Sequence, residues 1–222
     1  QPGATYYYSP MTVNNLGIVD HAHVYPDGTV GEHMHCHLYT DAIGKKGTNN
    51  VASLIMKTLR HLNILCKDSV GSELNIVFDN VAAKIKQHGV EASSMDIQLA
   101  YFLEINFIFL VLGHTKNAAN CLFNSLKVMY RKKNLYTFDQ LVEALGTSRN
   151  ITVHPTVSKD FLHYGNLFDF FYKKLTGQIK QNHIFSATQG DEITIRESFL
   201  GQHDEFIVPV MKKDFKDRNY QE

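Results

Sequence analysis

The stretch LGIVDHAHVYPDGTVGEHMHCHLY, residues 16–39, decides how the fold begins. Pro26-Asp27-Gly28 lies near its centre and is a strong turn signal, because Pro and Gly supply backbone angles that turns need. Two strand-length segments, Leu16 to Val24 and Glu32 to Tyr39, flank this turn. The stretch therefore predicts a β-hairpin.

His21 and His23 are two residues apart on the first predicted strand, and His33, His35 and His37 alternate along the second, so on each strand they share one face. Met34, Cys36 and Leu38 face the other way on the second strand. The hairpin would bring the two rows together, and neutral imidazoles at this spacing bind Zn²⁺ or another transition metal. The alternative is an ordinary polar strand face, since no Cys or carboxylate completes a recognisable ligand spacing. The candidate metal ligands here are His21, His23, His33, His35 and His37.

Strand and helix patterns alternate after the hairpin. Apolar strands are predicted at Leu74 to Phe78 and at Ile105 to Leu112, with a helix before the first and another ending near Lys133. Thr137 and Gln140 form a capping box for a third helix. This order predicts the α/β class and suits an RNase H-like mixed sheet (antiparallel opening hairpins, then strand–helix alternation) flanked by helices, as well as other three-layer folds.

The formal net charge of the 222-residue chain is zero, with 22 Lys and Arg against 22 Asp and Glu, but the charge is unevenly spread. Residues 1–44 carry four acids and no Lys or Arg, residues 45–135 carry 12 basic and six acidic side chains, and residues 136–222 carry 10 basic and 12 acidic ones. The central third is therefore basic, and a phosphate backbone is expected there.

Composition excludes two classes of protein. Hydrophobic content of 44% with 20% charged residues excludes wholesale disorder, and the lack of an apolar run of about 18 residues predicts no membrane span.

Cys36, Cys66 and Cys121 form no C-x-x-C motif and are odd in number. This usage indicates a reduced, intracellular protein.

Two predicted strand ends carry residues suited to chemistry. Asp79 follows the first apolar strand, where open α/β sheets bind ligands and where a carboxylate can hold Mg²⁺; the alternative is that Asp79-Asn80 only starts a turn. Gly113-His114-Thr115 leads from the second strand into a helix, whose N-terminal N–H groups favour a phosphate. The alternative there is a capped turn before a solvated polar face.

Basic residues concentrate in the same central third. Clustered Lys and Arg neutralise phosphates, although cations at a helix C-terminus also complement the helix dipole. The predicted nucleic-acid contacts are Lys84, Lys86, Lys116, Lys127, Arg131, Lys132 and Lys133.

Five segments, in this order along the chain, carry a family resemblance: QPGATYYYSP (1–10), GKKGTNNVASL (44–54), DN (79–80), GHTKN (113–117) and GQIKQNHIF (177–185). Together they resemble the transposase-derived domain of unknown function with an RNase H-like fold that is found in eukaryotic mobile-element proteins. The resemblance covers residues 1–185 as one domain and leaves residues 186–222 as an unassigned C-terminal extension.

The resemblance implies a DDE-type site, in which three acids hold two Mg²⁺ or Mn²⁺ ions for phosphoryl transfer. By position, Asp79 matches the second acid, and Asn120 stands where the third acid is expected. His114 matches a recurrent residue of the Gly-His-Thr turn. The first acid is expected upstream of Gln1, with Asp20 as a substitute from within the chain. These departures imply impaired catalysis.

The resemblance thus implies a mobile-element-derived domain that processes nucleic acid, active if at all as a Mg²⁺- or Mn²⁺-dependent nuclease or transposase-type polynucleotidyl transferase. Two alternatives stay open: a non-catalytic DNA-binding or assembly domain, and a histidine-rich metal-binding or structural module. DNA is the expected partner, without membrane contact, and a homo-oligomer is compatible with the sequence. The expected location is intracellular, nuclear rather than cytoplasmic.

Overall fold

A computed structural model of the chain describes residues 11–64, 72–79, 102–110, 118–164, 182–188, 192–197 and 206–209. Within these ranges the protein is mixed α/β, with eight strands in two sheets and three α-helices. The chain divides into two compact units, one of Gln1–Lys46 with Lys116–Phe161 and one of Gly47–Thr115 with Leu162–Glu222. We call them the three-stranded and the five-stranded unit, after their sheets.

The predicted hairpin forms the start of the three-stranded unit. Strand β1 (Val13–Val24) pairs antiparallel with β2 (Val30–Thr40), and the turn between them contains Gly28 at φ +80°, where a side chain would be strained. The Asp27 carboxylate accepts hydrogen bonds from the Thr29 hydroxyl (2.6 Å) and the Thr29 N–H (3.0 Å). These bonds, with the nearby Arg149 guanidinium, lower the pKa of Asp27 to about 2.

Two helices belong to the same unit, α2 (Ala118–Arg131) and α3 (Phe138–Leu145). The predicted capping box of α3 is confirmed, since the Thr137 hydroxyl accepts from the Gln140 N–H at 3.2 Å. At Gly17 a Cβ would lie 2.6 Å from the Phe123 ring, so glycine permits close packing of β1 on α2. The core of the unit consists of Met34, Cys36, Leu38, Leu126, Leu145 and Ile151.

The third strand of this sheet comes from far along the chain. Strand β5 (Ile151–Pro155) pairs parallel with β2, which gives the sheet order β1-β2-β5. The predicted apolar face of β2 is confirmed, because Met34, Cys36 and Leu38 are all buried in the core. The central strand is therefore covered on that face by apolar side chains and carries its histidines on the other.

The five-stranded unit contains one helix, α1 (Thr48–His61), and a mixed sheet. Its strands are β3 (Ser72–Phe78), β4 (Phe102–Phe109), β6 (Ile184–Thr188), β7 (Glu192–Arg196) and β8 (Phe206–Pro209). They lie in the order β3-β4-β6-β7-β8, with β3 and β4 parallel and the other neighbours antiparallel. Helix α1 begins after Gly47, so no side chain caps its N-terminus.

Alternate residues of β4 form the centre of this second sheet's core. Ile105, Phe107 and Phe109 are at most 2% exposed, and Phe109 packs edge-on against Phe185 of β6 with ring centroids 5.6 Å apart. Asn106 is also buried, and its amide donates to the Glu73 carboxylate at 2.8 Å. Because this amide is hydrogen-bonded, its burial costs little.

The strands predicted for one sheet are thus divided between two sheets, with the opening hairpin in one and β3 and β4 in the other. Strand β6 includes residues on both sides of position 185, where the sequence places the end of the resembling domain. The described helices have 14, 14 and 8 residues, and none is long and apolar enough to cross a membrane.

Candidate functional sites

The first candidate site is a set of imidazole rings on one face of the three-stranded sheet. His23 of β1 stacks on His33 of β2 with ring centroids 4.2 Å apart. The His33 ring lies 5.3 Å from that of His35. The hairpin therefore brings histidines of its two strands together, as predicted.

The edge strand β5 adds a histidine that the sequence prediction missed. His154 is the register partner of His37, and their rings stack at 4.9 Å. The His35 Nδ1 atom lies 3.0 Å from the His154 Nε2 atom, so one ring donates a hydrogen bond to the other, in a direction set by their tautomers. We call the five residues the histidine row; in spatial order they are His23, His33, His35, His154 and His37.

His21 lies apart from the row. Its Nδ1 atom is 3.3 Å from a carboxylate oxygen of Glu32, and both side chains are more than half exposed. Asp20 does face the row, because its carboxylate is 3.7 Å from the Nδ1 atom of His23. The register between β1 and β2 shifts between Asp20 and His23, and this irregularity accompanies the different surroundings of His21 and His23.

Burial shapes the chemistry of the row. His33, His35 and His37 are 6%, 2% and 0% exposed. Burial lowers the pKa of His33 below its usual 6.5, and the charge of His23 lowers it further, whereas Asp20 opposes the shift. Neutral imidazole is the form that ligates metals, so burial keeps His33 in a ligand-competent form near pH 7.

The His33 ring is anchored at one nitrogen only. Its Nε2 atom lies 2.8 Å from the Thr152 hydroxyl, whereas its buried Nδ1 atom has no hydrogen-bond partner within the described parts of the chain. His23 and His33 also line a cleft of about 450 Å³ beside the hairpin turn. Arg149 lies at the same cleft, paired with Asp27 and 5.1 Å from the centre of the Tyr25 ring.

Cys36 takes no part in the row. Its side chain points to the opposite, apolar face of β2, where the thiol donates to the Asn15 side-chain oxygen at 3.0 Å. Burial raises the pKa of the Cys36 thiol to about 12. The thiolate, which is the reactive and metal-binding form, is therefore scarce at neutral pH.

The second candidate site is the C-terminal end of α2 with the turn after it. Four of the seven predicted nucleic-acid contacts lie here, and all four are exposed. Residues 118–136 contain no acidic residue. Two aromatic side chains lie in the same stretch, Tyr130 at 37% and Tyr136 at 72% exposure. We call this the basic surface; it consists of Lys127, Arg131, Lys132 and Lys133. The other predicted contacts, Lys84, Lys86 and Lys116, lie outside the described residues.

The residues assigned by the family resemblance are spread over both units. Asp79 is exposed directly after β3, at the carboxyl end of the parallel β3–β4 pair. Asn120 lies half-buried in the first turn of α2, and Asp20 lies on β1. His114 falls outside the described residues.

The sequence model of the domain of unknown function DUF7869 matches residues 9–199, so the chain belongs to that family. No curated protein and no solved structure matches the chain.

Proposed function

We propose that this member of the DUF7869 family is a DNA-binding domain of mobile-element origin, with an RNase H-like ancestry, in which the basic surface holds the phosphate backbone. The order of the sequence motifs supports the origin. The observation that carries the function is the basic surface itself, four exposed cations in a stretch of 19 residues that lacks any acid. A nuclear location follows from this proposal.

The dimensions of the basic surface suit a nucleic-acid backbone. Residues 127–133 rise by about 9 Å if counted at the helical 1.5 Å per residue. Duplex DNA carries one charge per ~1.7 Å of its axis when both strands are counted, so a duplex segment of that length carries about five phosphate charges. Tyr130 and Tyr136 add aromatic rings on which unpaired bases can stack. Both kinds of contact are largely independent of sequence.

Salt dependence distinguishes this proposal from that of a merely solvated helix end. Four phosphate contacts predict that the logarithm of the DNA association constant falls against the logarithm of salt with a slope of about −3 to −4. Fluorescence anisotropy with a labelled 20-base-pair duplex, between 50 and 300 mM NaCl, measures this slope. Absence of binding at 50 mM NaCl, or a slope near zero, would reject the proposal.

Catalysis by a DDE-type site fits the residues less well. When bound, Mg²⁺ or Mn²⁺ ions activate the attacking oxygen and stabilise the leaving one, but they need carboxylates from three positions. Asp79 supplies one exposed carboxylate. Asn120 offers only a neutral amide oxygen at the position of the third acid, and hard cations such as Mg²⁺ prefer carboxylates. We therefore propose binding of DNA without efficient cleavage.

A nicking assay tests this second part of the proposal. With supercoiled plasmid and Mg²⁺ or Mn²⁺, we expect the wild-type protein and the Asp79→Ala variant to give the same background of nicked product. An exposed acid in the other unit provides a matched control variant, Asp139→Ala. Metal-dependent nicking that is lost in Asp79→Ala and retained in Asp139→Ala would show instead that the domain is a nuclease.

A further inference from the structure

The cleft beside the hairpin turn is lined mainly by flat side chains. Its volume of about 450 Å³ lies within the usual range of small-molecule sites. All of its lining residues belong to the three-stranded unit; they are His23, Tyr25, Pro26, Asp27, His33 and Arg149. Three of these side chains carry aromatic rings and a fourth carries a planar guanidinium. A flat ligand therefore suits the shape and chemistry of the cleft.

The three rings are held in place by the strands around them. The Tyr25 hydroxyl donates a hydrogen bond to the backbone carbonyl oxygen of Glu32 at 2.8 Å. The Tyr25 ring meets the His23 ring edge-on, with centroids 4.8 Å apart. The His33 ring, which stacks on that of His23, is fixed by the Thr152 hydroxyl. Because the rings are positioned before a ligand arrives, binding costs little side-chain entropy.

Arg149 determines which charge a ligand can carry. Its guanidinium lies over the Tyr25 ring, 5.1 Å from the ring centre, and is paired with the Asp27 carboxylate. A cationic ligand is disfavoured, because the acid that would bind it is already paired with Arg149. The side chains of Arg149 and Asp27 are 65% and 49% exposed, so the pair can be reached from solvent.

The cleft is also unsuited to a purely hydrocarbon ligand. Besides the ion pair, its lining includes His33, whose buried Nδ1 atom has no hydrogen-bond partner in the described parts of the chain. A hydrocarbon could offer this nitrogen no hydrogen bond. The suitable ligand is therefore flat, carries polar atoms on its edges and is not cationic.

We propose that this cleft binds one unpaired nucleobase of a DNA strand. The inference rests on the proposed function, because it adds a base contact to the phosphate contacts of the basic surface. Unpaired bases in single strands stack on aromatic rings and on guanidinium planes, and the cleft supplies both. A base inside a duplex is already stacked and paired, so only a single-stranded segment can fill the cleft.

An abasic strand separates the base contact from the phosphate contacts. The full 222-residue chain is titrated by fluorescence anisotropy with a labelled single strand of about 12 nucleotides, and with the same strand lacking all of its bases. Both strands carry the same phosphates, so we expect the intact strand to bind about tenfold more tightly through stacking. Equal affinity would overturn the proposal. If the 20-base-pair duplex still binds in that case, the proposed DNA-binding function stands and only the base contact fails.

Variants of the cleft locate the base. Tyr25→Leu removes one of the lining rings and should reduce the preference for the intact strand by about fivefold or more. Arg149→Lys keeps the charge but removes the guanidinium plane, so it should reduce the same preference even if Tyr25→Leu does not fold. Binding of the duplex should stay unchanged in both variants, because its bases are paired.

Arg60→Lys is the matched control for Arg149→Lys, because Arg60 is an exposed arginine in the other unit. It should bind intact and abasic strands like the wild type. A full preference in Arg149→Lys, or an equal loss in Arg60→Lys, would contradict the assignment to the cleft.

Competition with deoxyadenosine monophosphate distinguishes a DNA strand from a free nucleotide. A single nucleotide lacks the further phosphates that the basic surface would hold, so it should displace the strand only at about 100 times the strand's own dissociation constant or more. Displacement at concentrations close to that constant would assign the cleft to free nucleotides and overturn the proposed strand contact.

Discussion

Replacing Phe107 with alanine should lower the free energy of unfolding by about 3–5 kcal/mol, the largest loss that we expect from a single substitution in this protein. Phe107 is fully buried on β4, which has β3 on one side and β6 on the other. Its register partners are Ile76 and Phe185, and its ring lies 6.3 Å from that of Phe78. The substitution leaves a cavity, which cannot close because strands on both sides hold β4 in place. Urea unfolding measures the resulting loss in the free energy of unfolding.

Leu103→Ala provides the matched control for Phe107→Ala. Leu103 lies on the same strand but is 52% exposed, so its truncation should change the free energy of unfolding by less than about 1 kcal/mol. Comparable losses in the two variants would show that the loss in Phe107→Ala does not come from the burial of its ring.

Local sequence patterns were sufficient to predict most single elements. The turn at Pro26-Asp27-Gly28 fixed the hairpin, because only glycine adopts the positive φ of residue 28 without strain. Alternation along residues 33–38 separated Met34, Cys36 and Leu38 from the histidines between them, since side chains on a strand alternate between faces. Thr137 and Gln140 predicted a helix start whose hydrogen bonds are made within four residues. In each case the deciding interaction is short-range.

Pairing between distant strands could not be predicted in the same way. No sequence pattern indicated that β5 lies parallel to β2, so His154 was missed as a neighbour of His35 and His37. The division of the strands between two sheets depends on the same kind of contact. Parallel strands need a long crossover, here more than 100 residues, and no local pattern encodes their register.

The candidate sites also differ in how far they depend on contacts between residues that are distant in sequence. The basic surface was predictable because its four cations lie within seven residues of one helix end, and exposure is the default for Lys and Arg. The shared strand face of His35 and His37 in the histidine row was also predictable, because side chains alternate with period two. The place of His154 in the row depends on the register of β2 and β5, which only the folded structure supplies.

Replacing all four residues of the basic surface, Lys127, Arg131, Lys132 and Lys133, with glutamine should weaken DNA binding by about 100-fold or more at 0.1 M salt. Each phosphate contact releases about 0.9 counterion, so each contributes close to a factor of ten at that salt concentration. The slope of the logarithm of the association constant against the logarithm of salt should become less negative by about one unit for each cation that is removed from a phosphate. Anisotropy titrations measure both quantities. The thermal unfolding temperature should change little, because the four side chains are exposed.

Two adjacent lysine pairs separate a local contact from a general effect of charge. Lys132→Gln with Lys133→Gln removes two charges from the basic surface, and Lys45→Gln with Lys46→Gln removes two exposed charges from elsewhere in the same unit. Both double variants change the net charge equally, so long-range attraction of DNA falls to a similar extent in each. Only the Lys132→Gln, Lys133→Gln variant should make the salt slope less negative by about two units. Equal slopes in the two double variants would mean that DNA is attracted by the charge of the whole unit and is not held at the end of α2.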